Sequence, residues 1–167
     1  MESIKIFAQS DKIKWGIPES SISFFSAEEN CRIPFTDFSG VQEVCRYEKE
    51  VSGVRVYVTP VFKPTLIGFK ACFEPEQDLS CYKKICNEFT AQNGQPAYSI
   101  KEKWEGQDLR GYPCNIWILA DAILELGIHE ENFVVLGYAL LTKKDRYREI
   151  YTESYLGTIG WKPPKGL

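Results

Sequence analysis

The sequence predicts an α+β domain, an antiparallel sheet packed by two helices, and three patterns lead there. A β-meander is written over 41–73, where alternating runs are separated by short breaks. An amphipathic stripe at 79–92 reads as a helix. The apolar stretch 113–142 reads as a second helix, 116–126, feeding a central strand at 133–141.

The chain has 167 residues, which fits a single domain, 1–167, able to bury a core without disulfide or metal staples. Its first 40 residues carry the weakest pattern. They suggest a strand at 3–8, a proline-marked turn at 15–18 and another short strand at 21–25. Within 31–40, Phe35 and Phe38 stand in a loop-like context.

In the meander, Val41, Cys45, Tyr47 and Val51 share one face of the first run. Ser52-Gly53 suits a tight hairpin, because glycine supplies the positive φ that such turns need. Val54, Val56 and Val58 line the second run, and Pro60 marks an edge or bulge near its end. A third run at 66–73 completes three strands that short turns make antiparallel.

The first helix has Tyr82, Ile85, Cys86 and Phe89 at helical spacing and stops at Asn93-Gly94. A possible strand at 97–100 and a polar loop through Trp104 follow. Asn115 then suits the cap of the second helix, Gly127 suits its end, and 129–132 reads as a polar turn before the central strand. A final strand or short helix at 146–156 precedes a tail that Trp161 docks.

Charge and composition narrow the function. A net charge of −3 and a pI near 5.3 argue against nucleic acid, and the basic segment 143–148 reads as a solvated stretch. No run reaches the ~18 apolar residues of a membrane helix, and the first residues lack a signal peptide's apolar region. The expected location is cytoplasmic, with the six cysteines as reduced thiols.

Chemical motifs are few. Cys81 and Cys86 lack zinc-site spacing, so no metal or other cofactor is expected. Asp121 and Glu125, four apart on the expected helix, read as a carboxylate pair or as a narrow solvent stripe. His129, the only imidazole, is a candidate catalytic residue if a thiol or carboxylate approaches it. Cys114 is the second candidate: at a helix N-terminus the dipole would lower its pKa, and otherwise it is an apolar filler.

Cys81-Tyr82, residues 115–117, Gly127-Ile128, Glu131-Asn132, Val134, Gly137 and residues 145–147 resemble the C-terminal half of the laccase-domain family. The resemblance covers less than half the chain. The family's metal-binding histidine and cysteine constellation is not matched, so the resemblance implies no metal here.

The aromatic share is 14%. With the shortage of catalytic motifs, it leads to a non-catalytic binding protein for a protein partner or small ligand. Phe35, Phe38, Trp104 and Trp161 are its expected binding residues. Two alternatives stay open: a small enzyme acting near His129, and a subunit of a larger assembly.

Overall fold

A computed structural model of the chain describes residues 2–21, 32–37, 40–100, 114–131, 134–152 and 167, with 32–37 and 40–45 described by backbone alone. Ser3–Ile6 is a short 3₁₀ helix where the sequence suggested a strand. It places Ile4 and Phe7 in the core. The expected strand at 21–25 falls almost wholly outside the described residues.

A hairpin of β1 (Arg32–Asp37) and β2 (Gly40–Cys45) forms a sheet of its own. The alternating run that begins at Val41 is therefore shared between two sheets. Arg46 separates β2 from β3 (Tyr47–Val51), which turns through Ser52 and Gly53 into β4 (Val54–Phe62). Both turn residues take positive φ, 55° and 74°, the conformation whose twist suits a two-residue hairpin. Pro60 lies beyond Val58, the last β4 residue paired with β3, so its missing N–H costs that ladder nothing. A register shift at Val61/Phe62 follows, and β5 (Leu66–Phe73) completes the meander.

The helix α1 (Ser80–Asn93) buries Tyr82, Ile85 and Phe89 and ends at Gly94, whose φ is 80°. It carries the chain from β5 to the far edge of the sheet. There β6 (Tyr98–Ile100), β7 (Cys114–Ile118), β8 (Ala122–Glu131) and β9 (Val134–Lys143) return as a second meander. The strand order β3-β4-β5-β9-β8-β7-β6 puts β9 in the middle, as the apolar run at 133–141 predicts. The chain then forms α2 (Tyr147–Thr152).

The helix expected at 116–126 is not formed. Those residues are the β7–β8 hairpin, closed where the Leu119 N–H donates to the Ala122 carbonyl at 2.8 Å. A continuous apolar run satisfies a buried helix and a strand covered on both faces equally well. Here β-branched Ile116, Ile118 and Ile123, with Trp117, fit the pleated surface better. His129 and Glu131, expected in a turn, are paired within β8 instead.

Other elements pack against both faces of the sheet. The first packs Val56, Phe69, Leu124 and Leu141 against α1 and the N-terminal segment. The second gathers Val61, Ile116, Ile123 and Leu140 with Tyr147 and Ile150 of α2. Gly68 lets α2 approach, since a Cβ there would stand 2.6 Å from Ile150 Cδ1. No helix among the described residues is long and apolar enough to cross a membrane.

Candidate functional site

The register of the strands builds one row across the second face. Tyr57 of β4 stands opposite Cys72 of β5, Cys72 opposite Tyr138 of β9, Tyr138 opposite Gly127 of β8, and Gly127 opposite Cys114 of β7. Residues directly opposite share a face, so these five form a band. Gly127 is the gap in it. A Cβ there would lie 2.6 Å from the Tyr138 hydroxyl, so only glycine lets the tyrosine ring cross its neighbour strand.

The crossing ring reaches a buried carboxylate. The Tyr138 O–H donates to Glu125 Oε2 at 2.7 Å, and its oxygen lies 3.4 Å from Cys114 Sγ. From α2 the Tyr147 O–H donates to Glu125 Oε1 at 2.6 Å. Glu125 is fully buried at 0% exposure, so the two phenols replace water around an acceptor-only group. The cluster is closed to solvent at Cys114 as well, which is 1% exposed.

Cys114 does not lie at a helix N-terminus, because it opens a strand. Burial first, and then the Glu125 charge, push its thiol well above the usual range. That is the reverse of the activation that a helix dipole would give. Asp121 and Glu125 are not a pair either. Asp121 lies in the β7–β8 turn, where it accepts from Ser3 Oγ at 2.5 Å and Trp15 Nε1 at 3.1 Å.

The other half of the row is half-buried. Arg46, between β2 and β3, donates from Nη2 to Cys72 Sγ at 3.0 Å, and its Cζ lies 4.8 Å over the Tyr57 ring. Thr59 and Lys70, opposite one another in the next row, are also half-buried. At the rim, exposed Arg55 pairs with Glu48 at 3.6 Å. This side of the face combines cations, hydroxyls and a ring with partial access to solvent.

Asn115, expected as a helix cap, serves on the first face. It donates to the Tyr82 hydroxyl at 2.6 Å and accepts from Ser99 at 2.7 Å, tying α1 to β6 and β7. Burial raises the Tyr82 hydroxyl and the Cys86 thiol, so neither ionises readily. Cys81, Cys86 and Cys114 are free thiols. No three His, Cys, Asp or Glu gather as a metal site among the described residues.

His129 stands in register opposite Leu136, two residues beyond Gly127 on β8, and its side chain lies outside the described residues. Phe35 is on β1 opposite Gln42, described by backbone alone, while Phe38, Trp104 and Trp161 lie outside the described residues. The sequence reading missed Arg46, Tyr57, Tyr138 and Tyr147. One signal was present: Glu125 interrupts an apolar run, and Tyr138 interrupts another next to Gly137. A carboxylate inside a core requires donors, and tyrosine is a largely apolar residue able to supply one.

The residues that resemble the laccase-domain family at 115–117 and Gly127 belong to a strand–turn–strand unit, not to a helix–turn–strand unit. No protein family matches the chain, and no curated protein or solved structure matches it.

Proposed function

We propose that this protein is a non-catalytic binding protein that takes a small ligand on the second face of its sheet. The observation that carries the reading is the half-buried band of Arg46, Tyr57 and Cys72. It continues directly into the closed Glu125–Tyr138–Tyr147 cluster. A sheet face lined by a few convergent polar groups and rings, with a rigid base, has the make-up of a ligand site. The closed cluster supports binding over catalysis at these residues. Its carboxylate is enclosed by two phenols, and its thiol is held protonated by burial. Phe35, Phe38, Trp104 and Trp161 remain expected contributors from the sequence.

The test exposes the purified, dialysed protein to a small-molecule extract of the cells that make it, followed by native mass spectrometry. The expected result is a discrete mass increment on the wild-type chain that Tyr57→Ala abolishes while the fold persists by circular dichroism. A bare chain after exposure to the extract would overturn the proposal. So would an increment unaffected by Tyr57→Ala.

A further inference from the structure

We infer that Arg46 anchors the oxyanion of a small carboxylate or phosphate ligand at this face, a step that rests on the binding reading above. The inference comes from an imbalance around the guanidinium. Arg46 is half-buried, and among the described residues no carboxylate pairs with it. Its hydrogen-bond acceptor is the Cys72 sulfur, a weak one, at 3.0 Å. A guanidinium carries five N–H donors in a fork matched to carboxylate and phosphate, so most of its donor capacity is unspent.

Its position is fixed even so. Stacking on Tyr57 and the contact to Cys72 hold the guanidinium against the sheet, which preorganises it. A partly desolvated cation kept in place with no ion-pair partner among the described residues favours an incoming anion. The surroundings have the same chemistry. Lys70 lies two residues from Cys72 on the same face of β5, about 7 Å along the strand. Thr59, opposite Lys70, adds a hydroxyl, and Glu48, opposite Tyr57 on β3, pairs with Arg55 at the rim. Glu125, the one buried carboxylate of this face among the described residues, is engaged by Tyr138 and Tyr147.

The experiment titrates the full chain with sodium benzoate and, separately, with inorganic phosphate, at ionic strength held constant with chloride. Binding is followed through backbone amide shifts of Tyr57, Thr59 and Cys72. Saturable shifts are expected with at least one anion, and the anion that saturates identifies the source as carboxylate or phosphate. Arg46→Gln is expected to weaken that binding about tenfold or more, and Arg46→Lys less, because lysine keeps the charge and loses the fork. Thr59→Val serves as a second variant should Arg46→Gln fail to fold, with a smaller loss expected. Absence of saturation by both anions would overturn the inference, as would saturation that Arg46→Gln, folded, leaves unchanged. If the extract-derived ligand still binds Arg46→Gln at wild-type strength but not Tyr57→Ala, the anion anchor fails and the binding face stands.

Discussion

Gly127 shows how a missing side chain can shape a site. The Tyr138 ring occupies the space where a Cβ at 127 would be, 2.6 to 2.7 Å from ring and hydroxyl atoms. The ring belongs to a side chain fixed at its far end by Glu125, so it has little room to yield. Gly127→Ala is therefore expected to destabilise the fold by about 1–3 kcal/mol, the usual cost of forcing extra volume into a packed place. Urea unfolding of the two proteins checks this. An unchanged midpoint would mean that the ring moves aside freely, and the Tyr138–Glu125 contact would then lose its claim to rigidity. The sequence reading assigned Gly127 to the end of a helix. The reason for glycine there is a cross-strand neighbour, Tyr138, that no local pattern reveals.

At the scale of elements, the β7–β8 hairpin is the main departure from the sequence reading, and Asp121 fixes its turn to the N-terminal segment. The meander from β3 to β5 and the helix α1 were legible because each has a period that excludes the alternative. The apolar run at 116–126 has no such period, its length favours a helix, and its strand assignment depends on partners brought from β6 and β9. Burial alone would raise the Asp121 carboxyl, but hydrogen bonds from Ser3 and Trp15 outweigh it and hold it below its ordinary value. The sign follows from the depressed folded value. The stabilisation is complete above the unfolded carboxylate pKa of about 3.9 and disappears as pH falls through the folded one. Asp121→Asn is thus expected to be less stable than wild type at pH 7, with the gap narrowing towards pH 3. Denaturant midpoints at the two pH values measure it, and a gap independent of pH would remove the carboxylate charge from the explanation.

For the whole molecule, the pairing of β5 with β9 decides whether the two meanders are one unit. It joins residues as distant in sequence as Gly68 and Thr142, while every other ladder of the large sheet pairs strands consecutive in the chain. Long-range closure of this kind is entropically costly before it is rewarded, so its stability must come from burial. That burial is available: Phe69, Ala71, Ala139 and Leu141 are core residues of the first face, and Leu140 of the second. The half-buried band at Tyr57 and Cys72 and the closed cluster at Glu125 lie on opposite sides of this same seam. A ligand face that spans it requires the seam to hold. Native-state hydrogen exchange should therefore place the slowest amides in β5, β8 and β9 at one common opening free energy. Faster exchange is expected in the edge strands β3 and β6. If β3–β5 and β6–β9 instead opened at two separate levels, the meanders would be independent units. The continuous band from Tyr57 to Cys114 would then not be a rigid surface on which a ligand site can rest.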